Sequence, residues 1–316
     1  MCIRDRYHKH GKSLYYYDVN SLYPHVMKKK MPTKAIKRHA NCEAIDINNF
    51  FGYIECIVEA PSDIKNPIIP KKSKGRTLYP TGEWKGTYFS EMIKEGIKYG
   101  YKFKYLTAIE FEGEHIFTDY IDHFYKIKAD AKAKGDVALT FIAKMHLNQL
   151  YGVFGMKQSG LTTKIIDNKD LDTIFLTERV VSIKEIDDNT SLILIQNSES
   201  NPSSAPANFM SVEGGSNTSS SYSIKSNVAI AAAVTAYGQI EMMQFKNNPD
   251  YNIYYTDTDS IFIDKPLPSE LVGNSLGQLK NETMDKYGVE TISEACFLGI
   301  KKYGYRVIKD LSLIHI

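Results

Sequence analysis

Two aspartates, Asp257 and Asp259, stand two positions apart in the run Tyr254-Tyr255-Thr256-Asp257-Thr258-Asp259-Ser260, between strand-forming residues. On extended backbone, residues i and i+2 point to one side. Two carboxylates held that way repel each other unless a cation lies between them. Hard oxygen donors favour Mg2+. A calcium loop can also open with D-x-D-x-S, but it wants Gly at its sixth place and Glu at its twelfth. Counting from Asp257, those places hold Phe262 and Pro268, which argues against such a loop.

Asn252–Thr256 and Ile261–Asp264 read as a strand pair around the turn Asp257–Ser260. Far upstream, Leu14–Asp18 reads as another strand ending in a polar turn. Asp18 can therefore bring a third carboxylate to a shared edge. Alone, an Asp at a strand end is more often a turn residue, and Tyr23 close behind it is more often core packing. Ser21–Lys29 follows as a short helix, stopped before Pro32. A third element is Lys144-Met145-His146-Leu147-Asn148-Gln149-Leu150-Tyr151-Gly152. At about 100° per residue, Lys144, Asn148 and Tyr151 share one narrow helix face. A cation, an amide and a ring there suit a phosphate, a hydrogen-bonding edge and a base. In isolation, a solvated polar stripe accounts for that face better. His146 points elsewhere and reads as structural.

Between these elements, Phe50–Ala60 and Tyr101–Glu112 read as strands and Ser90–Lys98 as a helix. Residues 61–87 hold four of the eleven prolines and read as turns and short strands. Thr118–Lys134 and Asp136–Tyr151 read as an antiparallel helical hairpin turning at Gly135. Thr173–Leu176 and Leu192–Ile195 read as strands, and residues 197–223 as a flexible loop of Ser, Asn and Gly. Asn227–Phe245 reads as a helix with small residues on one side, able to lie close against a sheet. Cys296–Val307 reads as a last strand pair. The class is α+β: a central antiparallel sheet assembled from distant pieces, with a helical hairpin inserted between them. Met1–Arg6 and Asp310–Ile316 read as non-native tails and stay outside the fold reasoning.

The net charge of +2 is low for a duplex binder. Yet basic residues cluster at Lys28–Lys29–Lys30, at Lys71, Lys72, Lys74 and Arg76, and at Lys126, Lys128, Lys132 and Lys134. A solvated face explains any one of these runs about as well as a ligand does. Tyrosine is abundant, 22 of 316 residues, which suits surfaces that grip bases and also plain cores. The four cysteines are scattered without a C-x-x-C pair, so no zinc site or disulfide framework is expected, and a reducing compartment fits. Val228–Ala236 is too short for a membrane span, so no membrane partner is expected.

The three elements, in this order, resemble family B DNA polymerases. Asp18-Val19-Asn20-Ser21-Leu22-Tyr23-Pro24 is similar to that family's first palm motif, D-x-x-S-L-Y-P. Lys144–Gly152 is similar to its fingers motif, with Gln149 where Ser is usual. Tyr255–Ser260 is similar to its second palm motif. Lys301-Lys302-Tyr303 resembles the K-x-Y motif that touches the primer end. The resemblance implies a right-hand polymerase: an antiparallel palm sheet with packed helices, plus helical-hairpin fingers. Residues 7–30 would be the first part of the palm and 31–115 an insertion of the protein-primed type. Residues 116–155 would be the fingers, 156–224 a second insertion with the flexible loop, and 225–309 the second part of the palm. The exonuclease domain and thumb of the family are expected to be missing.

The same resemblance implies the roles. Asp18, Asp257 and Asp259 would be catalytic and, with Val19, form the set for two Mg2+ ions, Mn2+ being possible. Lys128 and Lys144 would hold the incoming triphosphate, and Asn148 and Tyr151 would line the nucleotide pocket. Tyr23 would lie under the sugar, where its ring leaves no room for a 2′-hydroxyl. Ser260, Lys301 and Tyr303 would meet primer and DNA. Expected partners are a DNA primer–template, a dNTP and a priming terminal protein. The long gaps around Lys144 and the stretch Glu83–Tyr88 resemble the organellar linear-plasmid and viral branch. That branch implies a mitochondrion or a virus-infected cytoplasm. Two rivals stay open: another right-hand polymerase such as a reverse transcriptase, and a non-catalytic nucleic-acid-binding relic.

Overall fold

The computed structural model describes residues 6–8, 13–42, 45–155, 161–196, 227–309 and 312–315. It divides into two compact units, one of residues 1–154 and 227–316, the other of residues 155–226.

The larger unit is organised by a four-stranded antiparallel sheet in the order Ile253–Asp257, Ser260–Ile263, Tyr15–Val19, Leu279–Asn281. The strands Tyr15–Val19 and Ser260–Ile263 alternate between two cores, as a period of two requires. Tyr17, Val19, Ile261 and Ile263 enter a core shared with the helices Leu22–Met27 and Val228–Lys246. Tyr255 and Phe262 enter a second core with Phe297, Tyr305 and Ile292, and Tyr16 packs against it. Both faces of Ser260–Ile263 are thus covered, which is why all four of its residues are buried. That second core is closed by another antiparallel sheet containing Glu294–Gly299 and Lys302–Lys309, flanked by Arg6–His8 and Ser312–His315.

A lateral sheet runs Met31–His39, Lys102–Glu114, Gly52–Glu59, Glu83–Phe89, all antiparallel. In Gly52–Glu59 burial alternates strictly, with Ile54, Cys56 and Val58 turned into a core under the helix Ser90–Lys98. A small hairpin, Lys71–Ser73 with Arg76–Leu78, stands apart. The helix Val228–Lys246 is fastened to this lateral layer at both ends. Tyr53 donates its hydroxyl to Ala229 O near the start. At the end, Asn66 Nδ2 donates to Lys246 O at 2.6 Å, and Asn247 Nδ2 donates to Asn66 O at 2.9 Å.

The helices Thr118–Ala133 and Val137–Phe154 form the expected hairpin. Gly135 makes the turn with φ 71°, a left-handed value suited to glycine. Asp136 Oδ1 then accepts the Leu139 N–H at 2.9 Å, starting the second helix.

The smaller unit holds a three-stranded antiparallel sheet in the order Arg179–Glu185, Thr190–Gln196, Leu161–Asp167. Thr173–Leu176, expected as a strand, lies instead in the helix Leu171–Thr177. Asp167 Oδ1 accepts the Lys169 N–H and starts a single 3-10 turn that feeds this helix, so local capping overrides the β-prone composition. The expected loop 197–223 lies outside the described residues. The strand Met31–His39 was not among the expected elements; Pro32, its second residue, is tolerated because this strand lies at the edge of its sheet.

Gly52 gives a test of the lateral sheet. Its φ is 154°, and a Cβ there would lie 2.1 Å from Ile109 O. Gly52→Ala should therefore cost about 2 kcal/mol or more in urea unfolding. A variant as stable as the parent would show that the two strands do not approach this closely.

Candidate active site

The site begins with strand register. Asp18 and Ser260 are direct partners across the central sheet, and the Val19 N–H donates to Asp259 O at 2.9 Å. The early aspartate is thereby brought to the tip of the late hairpin. The tip is not extended backbone, as alternation in the sequence suggested. Asp257 ends its strand, Thr258 takes a left-handed φ of 49°, and Asp259 lies in the turn. A tight turn, not the pleat, sets the directions of the two side chains. Ser260 is buried and donates its hydroxyl to Asp257 O at 3.1 Å, which closes that turn. Val19 is buried beneath it.

Burial pushes the Asp18 carboxyl up to about 7, helped by the charges of Asp259 and then Glu282. Asp259 is also raised, by burial first and then by Asp257. Ionising both costs energy that a bound cation would return. Asp257 is placed differently. Its Oδ2 lies 2.6 Å from Lys301 Nζ, and that bond holds the ammonium above its usual range. The Lys301 backbone is left-handed, φ 56°, and its N–H donates to the Tyr255 hydroxyl at 2.9 Å. Among the described residues, no three His, Cys, Asp or Glu side chains are gathered into a metal-holding group. By charge and donor type, Asp18 and Asp259 fit a hard divalent cation. Asp257 would join them either by sharing its carboxylate between the cation and Lys301 or by releasing Lys301.

Tyr23 sits on the helix Leu22–Met27, its ring centroid 4.4 Å from that of Tyr151. Burial, then Tyr151, raises its hydroxyl to about 12, so it stays neutral at neutral pH. Gly238 makes room for it: a Cβ there would lie 3.3 Å from Tyr23 Cε1. The ring borders a cleft of about 780 Å3, lined also by Leu22, Tyr79, Gly238, Met242 and Thr258. Lys128 donates to Ser21 Oγ at 3.1 Å and lies over the Tyr125 ring. Burial and then Lys144 hold the Lys128 ammonium below its usual range. Lys144 and Asn148 are exposed on the second helix of the hairpin. His146 stacks on Phe124 at 4.5 Å, a packing role. Tyr303 lies against Tyr255 and Phe262, with centroids at 5.0 and 5.3 Å.

Two residues near Asp18 were not singled out in the sequence. Lys280 is the strand partner of Asp18 on the side away from Ser260, and Glu282 follows it with its side chain mostly buried. Neither belongs to a recognisable pattern. Their importance comes from pairing with a strand near the other end of the chain, which no local spacing reveals.

The family described as DNA polymerase type B, organellar and viral, matches residues 2–252. The chain belongs to this family. The match stops short of the Asp257–Asp259 turn, but similarity to relatives continues. A probable DNA polymerase of Podospora anserina is 34% identical over 297 residues, covering 90% of this chain and 24% of the relative. One of Neurospora intermedia is 32% identical over 316 residues, covering 96% and 30%. The chain thus spans about a quarter to a third of the length of these relatives. In shape it is similar to Phi29 DNA polymerase complexed with primer–template DNA and incoming nucleotide substrates. That likeness has a TM-score of 0.61 at 19% identity, over 98% of this chain and 49% of the other. The mixed helix-and-sheet architecture is therefore that of this polymerase family.

The raised Asp18 gives a pH dependence with a definite sign. Asp18 keeps its proton in the folded protein to higher pH than in the unfolded chain. The stability this contributes is full below the unfolded value of about 4 and is lost as pH rises through the folded value near 7. In metal-free protein, Asp18→Asn should flatten the fall in urea midpoint between about pH 4 and pH 7. An equally steep fall in the variant would remove the assignment.

Proposed function

We propose that this chain carries the polymerising centre of a DNA-directed DNA polymerase, adding dNMP to a primer 3′-hydroxyl or to the hydroxyl of a priming terminal protein. The observation that carries this reading is the register that sets Asp18 beside the Asp257–Asp259 turn, with Tyr23 in the first turn of the helix that follows Asp18. Phi29 DNA polymerase forms complexes with primer–template DNA and incoming nucleotide substrates, which supports the same partners here.

Asp18 and Asp259 would hold two divalent cations, Mg2+ or Mn2+, which would supply hydroxyl activation and charge neutralisation on the triphosphate. Asp257 would assist once a primer end draws Lys301 away. Lys128 and Lys144, on the two helices of the fingers hairpin, would take the triphosphate, with Asn148 beside them. Tyr23, braced by Tyr151 and Gly238, would lie flat under the sugar and exclude a 2′-hydroxyl. Ser260 supports the turn from below, and Tyr303 would guide the primer strand from the aromatic cluster.

Asp259→Asn should lower Mg2+-dependent primer extension about a thousandfold while DNA binding in a gel-shift assay stays intact. Near-normal turnover would remove the metal role. Tyr23→Val should weaken discrimination of dNTP against rNTP about tenfold to a hundredfold in single-nucleotide incorporation. Unchanged sugar selectivity would refute the gate. Incorporation of rNTPs alone by the parent chain would move it to the RNA polymerases. DNA binding without any extension would make it a relic.

A further inference from the structure

The strand Leu279–Asn281 forms the edge of the central sheet, and its middle residue, Lys280, lies directly opposite Asp18. Partners across an antiparallel pair point to the same face, with Cβ atoms about 4.5–5.5 Å apart. The Lys280 side chain therefore rises on the face that carries the Asp18 carboxylate. It is only partly exposed, with 27% of its side chain open to solvent. Its ammonium is held by Glu282 at 2.8 Å and by the more exposed Asp285 at 3.1 Å.

A second lysine approaches the turn after Asp18 from another element. Lys128 reaches down from the helix Thr118–Ala133 to Ser21, in the turn just after Asp18. That turn is laced to the segment leading into Lys280: the Asn20 N–H donates to Gln278 O at 2.9 Å, and the Gly277 N–H donates to Asn20 O at 3.0 Å. Lys280 and Lys144 both help to hold the Lys128 ammonium low, as neighbouring cations do. Burial alone would lower Lys280 as well, yet its two carboxylate bonds outweigh that and keep it charged.

Like charges gathered at a partly buried place repel unless an anion joins them. Lys280 is neutralised only by carboxylates that a stronger, more highly charged anion can displace.

We propose that Lys280 is a third phosphate-binding lysine of the nucleotide site, contributed by the sheet, which receives the terminal phosphates of a triphosphate or the pyrophosphate that leaves. Glu282 and Asp285 hold the ammonium in place when the site is empty of phosphate, and Asp285, at the solvent edge, is the partner that gives way. This rests on the polymerase reading for its biological ligand, but the anion site can be tested without any turnover.

The probe is inorganic tripolyphosphate, titrated calorimetrically into the metal-free chain. Lys280→Met should weaken binding about tenfold, and Lys280→Arg should restore most of it. Asp285→Asn, which frees Lys280, should strengthen binding. A purely structural role for Lys280 would make both the Met and the Asn variants weaker or leave both unchanged. In primer extension, Lys280→Met should raise the KM for dNTP more than it lowers kcat. Tripolyphosphate binding within twofold of the parent in Lys280→Met, or weakened in Asp285→Asn, would overturn the proposal. If the parent chain does not extend primers but the binding changes occur as stated, the phosphate site stands and the polymerase reading falls. If extension proceeds and Lys280→Met binds and turns over as the parent does, only the Lys280 assignment falls.

Discussion

The pairing of Asp18 with Ser260 joins residues from nearly opposite ends of the chain. Its register admits no slippage. A shift of one residue would turn Tyr17 and Val19 out of one core and Tyr16 out of the other, exchanging every buried side chain for its neighbour. The two aromatic and aliphatic cores thus lock a polar edge into place without touching it. The hydrogen bond from Val19 to Asp259 then sets the depth at which the turn meets the strand.

The edge so formed is electrically lopsided. Asp18, Asp259 and Glu282 crowd one another, and burial denies them water. Around them the chain has arranged cations from three directions: Lys301 on Asp257, Lys280 on Glu282, and Lys128 over the Ser21 turn. A net charge of +2 conceals this arrangement, because acidic and basic groups that cancel in the sum are sorted in space. The separation is what a site handling both divalent cations and polyphosphates would need.

Much of this could be read in the sequence. The strand–turn–strand around Asp257, the helical hairpin with its glycine turn, and the helix after Asn227 announce themselves through periodicity and caps, which are local signals. The joining of Asp18 to the late hairpin was legible only through the resemblance of four motifs in order. The helix Leu171–Thr177 escaped because its Thr, Ile and Phe are strand formers, and only a capped turn before it decides otherwise. Lys280 and Glu282 escaped because nothing in Leu-Lys-Asn-Glu is periodic. The capture of Asp257 by Lys301 depends on a left-handed residue in a distant hairpin, a backbone state that composition does not encode for lysine.

The helix Val228–Lys246 supplies the floor against which Tyr23 rests; one end is bound to the lateral sheet through Tyr53, the other to the loop that leaves that sheet through the Asn66–Asn247 amides. The lateral layer therefore works as a splint. It braces a long rod at both ends, so that the ring resting at mid-length meets a fixed floor. Residues 31–115 are mechanically part of the surface that carries Tyr23 despite lying to one side of it. Wear in that remote layer, such as a lost amide or a loosened strand, would surface as a displaced Tyr23 ring before it surfaced as a lost fold.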